Sequence, residues 1–317
     1  MRFTFIFLSI VSGLFATDLK PVDSIEINGT SKDMVLHGNV LDIATDMGHI
    51  EVYDIQSKQK LKEISIPDVK DFMGDIVPAR VMSSDFIDDR YLLLSDSGKG
   101  GYSDLYIFEN DKIIKLLSAD DKVSIIKARF IDKNHILFGF LSNEVALFDL
   151  TSKKELYRTQ LSESKFSDFA LSEDKSKAVF SCESGILSIV DTHSGKVLKE
   201  LKGQNLDNVY KVDFKGDVVS AAGQDRRAAI YSASSGNGSY IQGNFLIYAT
   251  GLSPSTKLVA FAMNEQNDIM IYDTNTKALK YTLKGQKSTL NSIIFATDDK
   301  LYSASDDSSV MIWQLNK

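Results

Sequence analysis

Residues 301–317 read LYSASDDSSVMIWQLNK, two runs of alternating apolar and small residues joined by a polar turn at 306–309. Alternation with β-branched and aromatic side chains marks a pair of strands. Only Asn316 and Lys317 follow Leu315, so the second strand is left with a bare edge, which β-proteins avoid. The pattern therefore asks for a partner strand from elsewhere in the chain, and finding it decides the fold.

The second run is one of a series. The same signature, apolar alternation followed by an aromatic or β-branched residue and a polar turn, occurs as IEVYDIQSKQ, LYIFENDK, VALFDLTSKK, LSIVDTHSGK, AAIYSASSGN, IMIYDTNTKA and VMIWQLNK. Its key residues, Tyr53, Phe108, Phe148, Val190, Tyr231, Tyr272 and Trp313, are spaced by 55, 40, 42, 41, 41 and 41 residues. Each copy is preceded by two further strand-like runs, such as KVDF and DVVSAA, and followed by a fourth, such as ALKYTLKG. Four short antiparallel strands in about 40 residues make a propeller blade. A lone blade cannot cover both faces of its sheet, so the copies stack around an axis. The expectation is an all-β, seven-bladed β-propeller.

In that frame the last copy lacks its fourth strand, while LKPVDSIEINGT near the other end has the look of a fourth strand without a blade. Residues 19–28 are expected to pair beside the strand containing Trp313 and close the ring, which removes the last edge.

The stretch LYSASDDSSVMIWQL resembles the strand–turn–strand of the WD-repeat family, with Trp313 at the usual Trp and Asp307 at the turn aspartate. VVSAAGQDRRAAIYS is similar, with Asp225 at that turn. LKGQNLDNV and LKGQKSTLNS look like the family's Gly-His blade start, with Gln204 and Gln286 in place of His. The resemblance spans nearly all of residues 17–317 and implies the same fold. It departs from the family in having a single Trp and no Gly-His pair.

Residues 1–20 read MRFTFIFLSIVSGLFATDLK: one Arg, an apolar run of 13 residues from Phe3 to Phe15, then Ala16 and polar sequence. That is the order of an export signal, and the run is shorter than the ~18 residues expected of a membrane span. The expectation is a signal peptide over residues 1–16, a single propeller domain over 17–317, and a periplasmic product without a membrane span.

The 36 Lys and Arg against 43 Asp and Glu give a net charge of −7, which disfavours nucleic acid as a partner. The lone Cys182 rules out an intramolecular disulfide and suits a buried strand position. His37, His49, His135 and His193 are spread too widely to suggest a metal or haem site and are expected in surface turns. The glycine-rich DSGKGGYSD, residues 96–104, lacks the order of a phosphate-binding loop. No catalytic cluster, cofactor or metal is expected.

Turn aspartates Asp225 and Asp307 are expected to fix hairpins through backbone N–H groups. Arg129 and Asp213 fall on innermost strands lining the channel, where they are expected to pair with each other or with water. EINGT, residues 26–30, contains an Asn28 glycosylation sequon, awkward if the segment is held in a strand. The long second interval places extra residues at 66–81 and in the glycine-rich turn. Long loops on a rigid scaffold carry binding. Lys70, Asp71, Phe72, Met73 and Asp75, with Lys99 and Tyr102, are the expected partner-binding residues: an apolar tip with a charged rim.

These features describe a non-catalytic protein-interaction scaffold. A propeller oxidoreductase using a quinone or haem expects ligating His or paired Cys and Trp-rich repeats. An outer-membrane assembly scaffold expects a Trp-rich, eight-blade pattern. In overall build the chain resembles the NapL family of accessory proteins encoded with the periplasmic nitrate reductase of epsilonproteobacteria. That resemblance implies a role in maturation of, or electron supply to, the reductase, with its components as partners.

Overall fold

Seven four-stranded antiparallel meanders surround a central channel in the computed structural model, which describes residues 16–316. The innermost strands are Ser31–His37, Val81–Ile87, Ile125–Phe130, Phe166–Leu171, Val209–Lys215, Thr250–Leu252 and Leu290–Phe295. They open blades 1 to 7 in chain order. Among the described residues no helix is long and apolar enough to cross a membrane, and the N-terminal export expectation lies outside the described residues but for Ala16.

The ring closes where the last blade asked for a strand. Asp23–Glu26 pairs antiparallel with Ser309–Gln314, Ile25 opposite Val310, and so becomes the outer strand of blade 7. The pairing is shorter than residues 19–28. Ahead of it, Thr17–Leu19 runs parallel to Leu279–Leu283 and gives blade 6 a fifth strand. The N-terminal segment thus ties two blades rather than one.

Period-two alternation builds the core. Each blade turns one apolar face to the preceding blade and the other to the following one, and the buried residues fall into seven clusters, one per interface. Ile25 and Ile27 join Leu41, Ile43, Tyr302 and Ile312 between blades 7 and 1. Trp313 is fully buried between blades 6 and 7, and Cys182 is buried.

A bulge interrupts the pairing just inside the start of the innermost strand in six blades, all but blade 6. Bulges re-aim side chains. Here they set Asp33, Lys127, Asp168 and Lys211 at equivalent positions directly after the irregularity, and all four line the channel.

Candidate functional site

The extra residues of blade 2 form one structure. Residues 66–81 fold back as a short hairpin, Val69–Lys70 against Ile76–Val77. Its base is anchored by Ile66, Val69 and Ala79 in the blade 1–2 core. At the tip the Asp71 carboxylate accepts from the Asp75 N–H at 2.9 Å, and the Asp71 N–H donates to the Asp75 carbonyl at 2.9 Å. Phe72 is 91% exposed, Met73 71% and Ile76 69%. Lys70 and Asp75 are exposed beside them and Asp71 is half-buried.

The glycine-rich turn lies against this hairpin. Gly98 has φ +68°, and a Cβ there would sit 2.3 Å from the Lys70 carbonyl oxygen. Only glycine allows both the conformation and the approach. Lys99 is exposed on the turn, while the half-buried Tyr102 ring folds back over Gly100. The two insertions therefore bring Lys70, Phe72, Met73, Lys99 and Tyr102 to one end of blade 2. Gly98→Ala should separate them at a cost of about 1–2 kcal/mol. Hydrogen exchange over residues 66–81 would rise sharply; unchanged protection would mean the turn does not brace the hairpin.

In a meander the turns between second and third strands share a face with the connections between blades. Of the seven large apolar residues exposed outside the blade strands among the described residues, six, Met47, Phe72, Met73, Ile76, Leu141 and Leu206, lie on that face; the seventh, Val22, precedes the closing strand Asp23–Glu26. Turns on the opposite face expose no large apolar side chain among the described residues.

The channel is charged but organised. Asp33 accepts from the Ser84 N–H at 3.2 Å, Asp85 from Phe130 at 2.8 Å, Asp168 from Val212 at 3.1 Å and Asp213 from Leu252 at 2.7 Å. Each bond crosses from one blade's innermost strand to the next, so these acids act as clips between blades. Arg129 and Asp213 do not pair with each other. Arg129 forks onto Asp33 at 2.8 Å and donates to the Ser83 hydroxyl and the Ser84 carbonyl; Asp213 lies 3.8 Å from Lys215. They stand at matching positions in blades 3 and 5 with blade 4 between them, so each takes most of its partners from strands nearer by. Burial alone would raise the Asp33 carboxyl. The positive charges of Arg129, Lys127 and Lys211 outweigh it and hold the group below its ordinary range.

Asp33, Asp85 and Asp168 escaped the sequence reading, although a signal existed. Asp85-Phe86, Asp168-Phe169 and Asp213-Phe214 repeat one dipeptide. Adjacent strand residues face opposite sides, which sends the acid to the channel and the buried phenyl ring to the core.

The turn aspartates are held by backbone. Asp225 accepts from the Leu206 N–H at 2.7 Å and the Arg227 N–H at 3.1 Å; Asp307 accepts from the Ser309 N–H and hydroxyl at 3.0 Å each. In blade 7, Gln286 takes the part of a blade-start His. It is buried, donates to Ser305 at 2.8 Å and accepts from Ser303 at 2.7 Å, and Ser303 in turn accepts from the Trp313 indole at 2.8 Å. Blade 5 differs. Half-exposed Gln204 engages only through its backbone; its neighbour Asn205 is the buried amide, reaching Asp225 at 3.4 Å and the Arg227 carbonyl at 3.2 Å.

His49 corrects the expectation of surface turn histidines, being buried on a strand. It stands with Glu51 and Glu63 in a group of possible metal ligands. The Lys60 ammonium already occupies that place, 2.9 Å from Glu51 and 2.8 Å from Glu63. Burial would raise the Glu51 carboxyl, but His49, Tyr53, the Asn28 N–H and Lys60 bring it down to about 2. The knot fastens residue 28 to blade 1, at 2.8 Å from the Asn28 N–H to Glu51, so it reads as structural.

No protein-family model matches the sequence, and no curated protein is similar to it. Solved structures are. The β-propeller domain of Cps50 (Swd1) from Myceliophteria thermophila aligns with a TM-score of 0.72 at 13% identity, covering 93% of this chain and 99% of that one. The shared fold is the seven-bladed β-propeller. Such rings commonly serve as protein-interaction scaffolds, and at this identity the likeness concerns the fold alone.

Proposed function

We propose that this chain is a non-catalytic interaction scaffold that docks a protein partner on the face bearing the blade-2 insertions. The observation that carries it is that six of the seven large apolar residues exposed outside the blade strands, Met47, Phe72, Met73, Ile76, Leu141 and Leu206, lie on that face. Exposed apolar groups gathered on one face of a rigid body are the usual mark of an interface. Phe72 and Met73, presented on a hairpin anchored in the core, suit the role of central anchors. Lys70, Asp71, Asp75, Lys99 and Tyr102 form the polar surround.

The finer reading places the scaffold in the periplasm as an accessory to nitrate reductase, for its maturation or its electron supply. It rests on the signal-like residues 1–16 and on the resemblance in overall build noted from the sequence. Capture from periplasmic extract tests both levels. With the double variant Phe72→Ala/Met73→Ala, partner recovery should fall at least ~10-fold with stability changed by less than about 0.5 kcal/mol. Undiminished recovery removes the hairpin from the interface. Capture of partners that include no component of the reductase removes the finer role and leaves the scaffold.

A further inference from the structure

We propose that the central channel is a binding site for a small oxyanion, a carboxylate or a phosphate, held by the ammonium groups of Lys211 and Lys127. The channel holds a cavity of about 420 Å³, within the ~300–1,000 Å³ typical of small-ligand sites. It extends to the ends of the innermost strands, where His37, Lys175 and Lys215 stand. That mouth is on the face opposite the hairpin, so the site is independent of the docking surface.

The state of the charges selects the ligand. Each acid in the cavity is occupied: Asp33, Asp85, Asp168 and Asp213 by the interblade N–H groups, Glu173 by the Gly216 N–H at 3.2 Å. Arg129 is saturated. Lys175 donates to the Phe130 carbonyl at 2.8 Å and Lys215 to that of Leu252 at 2.6 Å. Lys211 differs from all of these, since no hydrogen bond or ion pair engages its ammonium among the described residues. Lys127 makes one bond, to Asp168 at 2.6 Å, and an ammonium has three donors. The unused capacity of the cations is donor capacity, on Lys211 and Lys127; the unpaired buried acceptor of the lining is the Asn291 Oδ1 on the opposite wall.

The two lysines occupy matching post-bulge positions in blades 3 and 5, on either side of Asp168 in blade 4. The opposite wall, from blades 6 and 7, is neutral: Thr250, Asn291 and Ser292 with Ile293 and Phe295. Burial holds the Lys127 ammonium below its ordinary value; the charges of Asp168 and Asp33 oppose this, and the positive charges of Arg129 and Lys211 add to it. An anion between the two lysines relieves this crowding, and charge-assisted hydrogen bonds in a confined cavity are strong ones. A nucleic-acid backbone is not required by this chemistry; a single oxyanion satisfies it.

Titration calorimetry on the full chain, with sodium phosphate and sodium succinate in separate arms, tests the site and tells its two sources apart. At least one should bind saturably, and Lys211→Met should weaken that binding ~10- to 100-fold. The Lys211 ammonium makes no hydrogen bond or ion pair among the described residues, and Asp33 keeps its pairing with Arg129, so the variant should fold as the parent, checked by circular dichroism. Lys154→Met, at an exposed position of the outer strand Lys154–Gln160 of blade 3, should bind as the parent does. Absence of saturable binding in both arms up to ~10 mM, or a Lys211→Met chain binding as tightly as the parent, overturns the proposal.

Discussion

Replacing Ile25 with Asp should destabilise the ring by on the order of 4 kcal/mol, more than a substitution in an ordinary terminal segment. Ile25 is buried on the closing strand, opposite Val310 and packed among Ile27, Tyr302 and Ile312. The change removes an aliphatic side chain from the blade 7–1 core and leaves a carboxylate there without a partner. It also loosens the outer strand that covers Ser309–Gln314, exposing a sheet edge. Closing a loop of nearly the whole chain is not the obstacle, because closure entropy grows only as the logarithm of length. Trp313 is the single tryptophan and lies on that covered strand, so its fluorescence during urea unfolding reports on the closure. Ser24→Asp, at an exposed position of the same strand, is the control and should leave the midpoint in place. An Ile25→Asp chain melting with the parent would show that the strand does not hold the ring together.

The Asp42→Asn variant should be more stable than the parent, increasingly so as pH rises from about 4 to about 8. Asp42 is fully buried on the second strand of blade 1, and neither carboxylate oxygen has a hydrogen-bond partner; the Ser84 hydroxyl is likewise unsatisfied. Burial pushes the carboxyl up to about 8; the Ser84 hydroxyl, close by but outside hydrogen-bonding geometry, opposes this only in part, the negative charges of Asp33 and Asp85 add to it, and Arg129 opposes it. Folded Asp42 therefore keeps its proton across the window in which the unfolded chain, with an ordinary pKa near ~3.9, has lost it. The folded state binds the extra proton, so stability falls with rising pH by up to about 1.4 kcal/mol per unit, then levels off once both states are ionised. Asparagine has no proton to lose. The difference between variant and parent should grow to on the order of 5 kcal/mol near pH 8. Other titrating groups are common to both chains and cancel in that difference. A variant whose advantage is the same at pH 4 and pH 8 would mean that Asp42 is not the buried acid described.

Much of the ring was legible because a blade is a local object. Alternation, turn residues and a spacing of 40 to 42 residues lie within short windows of sequence, and seven copies make the count. The closing strand was legible too, since an unmatched third strand at one end and an unmatched outer strand at the other can satisfy each other. The limits were just as physical. Thr17–Leu19 was not foreseen as a strand, since three residues show no period and the pairing is set by the edge Leu279–Leu283 offers. Gln204 and Gln286 follow the same LKG yet differ in role. Blade 7 supplies Ser303 and Trp313 to receive an amide. Blade 5 has Ala221 and Tyr231 at the matching places, and the Tyr231 hydroxyl takes the Gln204 and Asn205 N–H groups instead.

The functional surfaces divide the same way. An unusually long interval located the blade-2 insertions, because extra length is visible in one dimension. That Gly98 presses on Lys70, and that Met47, Leu141 and Leu206 share a face with Phe72, depends on how seven blades are turned about one axis. The channel belongs wholly to that level. Sequence by itself determined a seven-bladed ring and the segment that closes it, since both follow from patterns a few residues long. Tertiary structure alone decided which acids clip neighbouring blades and which lysine faces the channel without a partner. A strand's alternation says which side chains point inward, but what they meet is set by residues from other blades, brought together only when the ring is closed.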